Sequence, residues 1–281
     1  MRATFDRAAL PYWEARSARW TVVAPLAPSE DDVRFYEASA ARRVADDGSG
    51  LTALLLGVTA PIAAMRWPQA TRLVALDWSE GMFRHVWPRA GLPAHAGALR
   101  GDWREIPLAD ASIDFVVGDG CYSTFPDLAG PAALNREVQR ILKPGGEFCL
   151  RCFCRPDQAV PVATLFEWMS AGRFPNLDLF RWMLAMSVQG DAPEGVSLHR
   201  VWRVWREQVP DPGAARLRHG WSEEALANME RWSELESRYV FPTLGELGAL
   251  AAPRFDLEVC DFPSYPWGER FPRLLMRRRE A

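Results

Sequence analysis

Gly101-Asp-Trp-Arg-Glu-Ile-Pro-Leu-Ala-Asp-Ala-Ser-Ile-Asp-Phe-Val-Val-Gly-Asp-Gly-Cys-Tyr-Ser-Thr-Phe-Pro126 and the run Arg136-Glu-Val-Gln-Arg-Ile-Leu-Lys-Pro-Gly-Gly146 decide how this chain folds. The apolar run Ile113–Val117, broken only by Asp114, is short and β-branched, which suits a buried strand. Gly118-Asp119-Gly120 ends it in a sharp loop. Leu134, Val138, Ile141 and Leu142 then recur at helical spacing, so the reading predicts a helix over 134–142. Lys143-Pro-Gly-Gly146 is expected to stop that helix, with a cation in the last turn and breakers beyond. Phe148–Phe153 reads as the next strand. Strand, loop, helix, turn and strand make half of a doubly wound sheet.

Working outward, Leu51–Leu56 is an apolar strand that ends in Gly57. Thr71–Leu76 is a second strand and ends in Asp77, twenty residues after Gly57. An acid at that offset in a nucleotide-binding sheet accepts from ribose hydroxyls; the plainer role is to cap the following helix. A short strand over 96–100 leads into Asp102-Trp103. Phe255–Phe262 and Leu274–Arg278 read as the last two strands.

Three phrases in order resemble class I S-adenosylmethionine-dependent methyltransferases: Asp102 in Gly-Asp-Trp, Leu108-Ala-Asp-Ala-Ser-Ile-Asp-Phe-Val-Val117, and Leu142-Lys-Pro-Gly-Gly146. The resemblance implies a Rossmann-like doubly wound sheet of seven mostly parallel strands, the last antiparallel. It implies S-adenosyl-L-methionine as donor, S-adenosyl-L-homocysteine as product and a small-molecule methyl acceptor. It also implies a cofactor site of Gly57, Thr59, Asp77, Trp78, Met82, Asp102, Trp103, Gly118, Asp119 and Cys121, with Asp102 taking the adenine amino group and Trp103 packing on the ring. The glycine-rich loop departs from the family. The usual acid–x–Gly–x–Gly–x–Gly reads Leu55-Leu-Gly57-Val-Thr59-Ala-Pro61, so only the first glycine is kept. Asp119, flanked by glycines, could stand in for the missing acid at the methionine end or act as a base toward the acceptor. Tyr122 and His199 are further catalytic candidates. The altered loop leaves two alternatives open: transfer of the aminocarboxypropyl group, or cofactor binding without catalysis.

The domain reading has an N-terminal helical cap over 1–45, a core of 46–155 plus 236–281, and a helical insertion over 156–235 that covers substrate, together one compact domain. Ser29-Glu-Asp-Asp32 is a helix cap, and Asp46–Gly50 a turn. Arg200, Arg203 and Arg206 share a helical stripe beside Trp202 and Trp205; it is read either as a solvated face or as an anion-recognising one.

The formal charge of -3 gives no sign of a nucleic-acid footprint. No apolar run approaches the roughly 20 residues that span a bilayer, and Asp6 and Glu14 with no apolar core argue against a signal peptide. The 5 cysteines read as buried thiols rather than a metal set, which points to the cytoplasm. The expected assembly is a monomer or homodimer.

Overall fold

The structure is a computed structural model that describes residues 10–18, 22–43, 50–88 and 91–280. The expected turn at 46–50 lies, apart from Gly50, outside the described residues, as do Trp20 and the first nine residues. Five strands, β1 (Thr52–Leu56), β2 (Arg72–Asp77), β3 (His95–Arg100), β4 (Ile113–Asp119) and β5 (Leu142–Arg151), run parallel in the order 3-2-1-4-5. Two-residue strands β6 (Val196–Ser197) and β7 (Arg238–Tyr239) form a separate ribbon. The strands β8 (Phe255–Asp261) and β9 (Arg273–Arg278) complete the large sheet, β9 lying between β5 and β8 and antiparallel to both. This is the Rossmann-like, seven-stranded order that the resemblance implied. The strand order reverses between β1 and β4, so the crevice lies beyond the carboxyl ends of those two strands.

Each face of the sheet has its own core. Leu54, Leu56, Val116 and Phe148 point to one side; Ala53, Leu55, Phe115 and Val117 point to the other. That alternation follows from the period of two along a strand. Cys152 and Cys154 join the first cluster and Cys149 the second, the same period of two along β5 and the residues just after it.

Helix α1 (Leu10–Ser17) precedes α2 (Glu30–Ala41), which begins in a capping box between Ser29 and Asp32. Short helices α3 (Ala60–Ala63) and α4 (Glu80–His85) follow β1 and β2. Helix α5 (Ala129–Ile141) starts five residues before the predicted Leu134, because Gly130 and Pro131 sit in a first turn that tolerates them. The Lys143–Gly146 segment corrects the sequence reading. It is not a turn between elements but the irregular start of β5, where the register against β4 slips between Ile113 and Phe115. Gly145 takes φ +69° there, and Lys143 Nζ pairs with Asp114 at 2.8 Å.

Helices α6 (Val162–Ser170), α7 (Leu177–Gln189) and α8 (Leu198–Gln208) lie in the stretch expected to be helical. Helices α9 (Pro212–His219) and α10 (Glu223–Glu230) were not anticipated, because Pro210–Gly213 reads as punctuation; Asp211 and Ser222 cap them. A third hydrophobic cluster joins these helices, centred on Phe180, Leu184, Trp205 and Trp232. The arginine stripe of α8 is a solvated, ion-paired face: Arg203 pairs with Glu207 and Arg206 with Glu230, which also accepts from the indoles of Trp202 and Trp205. The final helix α11 (Leu244–Ala251) packs near α5 and starts in a capping box.

Candidate active site

The β1 strand ends where Gly57 turns with φ +88°, a left-handed conformation that favours glycine. Its N–H donates to Leu76 O at 2.8 Å, tying the turn to the end of β2. A Cβ at Gly57 would lie 3.7 Å from the Trp103 ring and 3.8 Å from Asp77 Oδ2. The turn is therefore lined by an indole and a carboxylate. The Trp103 Nε1–H donates to Leu76 O at 2.7 Å, which fixes the ring across the same edge. Thr59 leads into α3 without a side-chain cap, and Pro61 occupies the first turn.

Asp77 is buried, and its Oδ1 accepts from Ser79 N at 2.9 Å. Burial raises its carboxyl to about 6, against the pull of the Ser79 and Trp78 N–H groups, and the charge of Glu14 adds to the rise. Trp78 is half-buried, and its carbonyl accepts from Arg100 Nε; Met82 is buried on the sheet face that holds Leu55. Asp102 accepts a bidentate pair from Arg104, with Nη2–Oδ2 at 2.7 Å and Nε–Oδ1 at 3.1 Å. As an adenine acceptor it would share its oxygens with that guanidinium.

Glu14 was missed by sequence reasoning. From α1 it reaches α4, where Oε1 accepts from Ser79 Oγ at 2.9 Å and Oε2 from Gly81 N at 2.8 Å. No local signal marks it, since the two partners lie more than sixty residues away.

Gly118 and Asp119 close β4. Asp119 is held by Arg151, with Nε–Oδ1 at 2.5 Å and Nη2–Oδ2 at 3.0 Å. Tyr36 Oη lies within hydrogen-bond reach of both Gly118 O, at 3.2 Å, and Asp119 Oδ1, at 3.3 Å. Burial pushes the Asp119 carboxyl upward, and the Arg151 guanidinium opposes it. The Arg151 side chain is itself fully buried. Leu55, at the family's acid position, is also fully buried in the core.

The remaining candidates separate. Cys121 sits between the ends of β1 and β4, with Sγ 3.8 Å from Leu56 O, and burial pushes its thiol well up. Tyr122 turns away into the core and donates to Asn135 Oδ1 at 2.5 Å. His199 is exposed at the start of α8, its ring bonded to Ser233 O and tilted against Trp202. The structure thus gathers Gly57, Asp77, Trp103, Gly118, Asp119 and Cys121 at one sheet edge and leaves Tyr122 and His199 outside it. Among the described residues, no group of three His, Cys, Asp or Glu side chains is placed to hold a metal ion.

Residues 54–150 match the methyltransferase-domain family. Together with the strand order, this makes them a methyltransferase domain of the class I, S-adenosylmethionine-dependent type. The chain is 30% identical over 115 residues to a malonyl-[acyl-carrier protein] O-methyltransferase of Xylella fastidiosa, covering 41% of this chain and 37% of that protein. It is 37% identical over 79 residues, 28% of each chain, to a Mycolicibacterium smegmatis protein named as an S-adenosylmethionine-dependent methyltransferase. The chain therefore spans about a third of the length of these relatives. Two solved structures share the fold alone. One, from Rhodobacter sphaeroides and described among Zn-dependent alcohol dehydrogenases, has TM-score 0.59 and 13% identity over 99% of this chain and 100% of that one. The other, the N-methyltransferase NodS of Bradyrhizobium japonicum in complex with S-adenosyl-L-homocysteine, has TM-score 0.52 and 10% identity over 96% and 98%. No described helix is long and apolar enough to cross a membrane.

Proposed function

We infer that the chain transfers a methyl group from S-adenosyl-L-methionine to a small-molecule acceptor that enters between the sheet edge and the helical insertion over 156–235. The observation that carries this reading is the buried Asp77 carboxylate facing the left-handed Gly57 turn, with Trp103 across both. That donor set fits the nucleoside half of the cofactor: a carboxylate for ribose hydroxyls, an apolar ring for adenine and a backbone turn that admits close approach.

The cofactor supplies a methyl group already activated by a sulfonium charge. The protein's task is to align donor and acceptor, for which orientation is a large part of the rate. Asp77 fixes the ribose, and α1 and α2 cover the edge and exclude water. Asp119, already held by Arg151, serves this reading as a positioning group rather than as a base. The name of the Xylella relative makes a carrier-bound carboxylate the first acceptor to assay.

Isothermal titration with S-adenosyl-L-homocysteine tests cofactor binding, and mass spectrometry of products formed from S-adenosyl-L-methionine tests the reaction. S-adenosyl-L-homocysteine as product supports methyl transfer; methylthioadenosine moves the reaction to the aminocarboxypropyl group. Absence of binding at millimolar ligand overturns the reading.

A further inference from the structure

The Arg151 guanidinium presents two hydrogen-bonding edges, and they are used differently. Its Nε and Nη2 edge pairs with both oxygens of Asp119. On its outer edge two successive main-chain oxygens accept, Pro25 O from Nη1 at 2.7 Å and Leu26 O from Nη2 at 2.9 Å, and Nη1 also reaches Tyr265 Oη at 3.0 Å. Two oxygens across Nη1 and Nη2 are what a carboxylate presents to arginine in a bidentate pair. Two neutral carbonyls therefore occupy a position whose geometry suits an anion.

A second observation concerns the opposite charge. Asp32 is fully buried beside this edge, with Oδ2 3.2 Å from Arg151 Nη1. Its Oδ1 is buried with no hydrogen-bond partner, and Arg273 Nη1 stands 3.6 Å away. A buried carboxylate oxygen left without a hydrogen bond is costly. Cation and anion thus lie side by side, Arg151 at the end of β5 and Asp32 on α2, next to Asp119 at the end of β4.

We propose that Arg151 and Asp32 form the receptor for the donor's α-amino-acid group, Arg151 taking the carboxylate on its outer edge and Asp32 Oδ1 the ammonium, with the Pro25 and Leu26 carbonyls competing for the same edge. The proposal rests on the S-adenosylmethionine reading above. It differs from the sequence expectation, in which Asp119 either stood in for the missing acid at the methionine end or acted as a base. An ionised acceptor makes a stronger hydrogen bond to guanidinium than a neutral carbonyl does. The amino-acid end of the donor therefore displaces the 25–26 segment.

The test compares S-adenosyl-L-homocysteine with 5′-methylthioadenosine, which keeps the nucleoside and lacks the amino-acid group. With the wild-type chain, calorimetry should show the former binding at least tenfold tighter. Hydrogen exchange over 22–29 should rise with S-adenosyl-L-homocysteine and stay unchanged with methylthioadenosine. In Asp32→Asn the preference should fall to within threefold while methylthioadenosine affinity holds. Equal affinities in the wild type, or exchange over 22–29 that both ligands alter alike, overturn the receptor; these readings need no variant to fold. If methylthioadenosine binds and its congener binds no better, the receptor fails and the cofactor reading stands. If neither binds at millimolar concentration, both fail.

Discussion

Glu14 and Gly81 are joined across the sheet edge by a hydrogen bond of 2.8 Å, the Gly81 N–H donating to the Glu14 carboxylate. The second oxygen of Glu14 accepts from Ser79 Oγ, the cap of α4. One side chain from α1 thus holds the helix that begins just after Asp77. Glu14→Ala should release α1 and speed dissociation of S-adenosyl-L-homocysteine several-fold, a cost of roughly 1 kcal/mol for the lost bonds. Stopped-flow displacement measures it; an off-rate equal to wild type would show that α1 packs without covering the ligand.

Asp77 ties stability and binding to pH in opposite directions. Its folded carboxyl titrates near 6, above the usual carboxylate range. Between about pH 4 and 6 the folded protein keeps a proton that the unfolded chain has lost, so this group makes stability fall as pH rises through that window and leaves it level above. Asp77→Asn should raise thermal stability at pH 8, by up to about 3 kcal/mol at 1.36 kcal/mol per pKa unit, and the gain should shrink toward pH 4. The same variant should weaken donor binding by about 1.5–3 kcal/mol. Wild-type affinity should climb as pH passes 6. Melting curves and titrations at several pH values check all three.

Removing Arg151 should cost more than removing its partner's charge. Arg151→Met leaves the Asp119 and Asp32 carboxylates buried without their shared cation, for about 3–5 kcal/mol. Asp119→Asn leaves Arg151 still facing Asp32 and two carbonyls, and should cost less. Urea denaturation of the two variants ranks them, and the reverse order would overturn this account of the cluster.

Tyr122→Phe should cost about 1–3 kcal/mol of stability, because Asn135 Oδ1 loses its buried donor. Turnover should be unchanged, since the hydroxyl points away from the crevice. A drop in kcat at full stability would return Tyr122 to the chemistry.

A core substitution gives the scale for these values. Leu134 is fully buried between α5 and the sheet, and Leu134→Ala should cost about 2–5 kcal/mol with donor affinity unaffected, by urea denaturation and calorimetry.

The centre of the sheet was readable because its strands carry their burial in near-consecutive residues: Leu51–Leu56, Leu73–Leu76 and Ile113–Val117 are largely apolar runs whose ends mark the crevice. Asp77 was readable for the same reason, its place being fixed by a strand end and an offset. Glu14, Tyr36 and Arg151 were not, and Asp32 was legible only as part of a helix cap. Arg151 meets Asp32 across 119 residues and Pro25 across 126, and no local periodicity encodes a contact of that span. The Lys143–Gly146 segment misled because its breakers are real but serve a bulge, with Asp114 across the strand holding Lys143. Asp211-Pro212 hid a helix because the same pair that ends one element caps the next.

Leu26 has obligations on both sides of the crevice. Its side chain belongs to the cluster built on the insertion's helices, while its carbonyl rests on the β5 arginine. Trp13 likewise packs against that cluster and against one face of the sheet. An engineer who grafts foreign helices onto this scaffold would therefore also disturb the grip on the β5 arginine, because the helical cluster and the sheet edge share a single piece of chain.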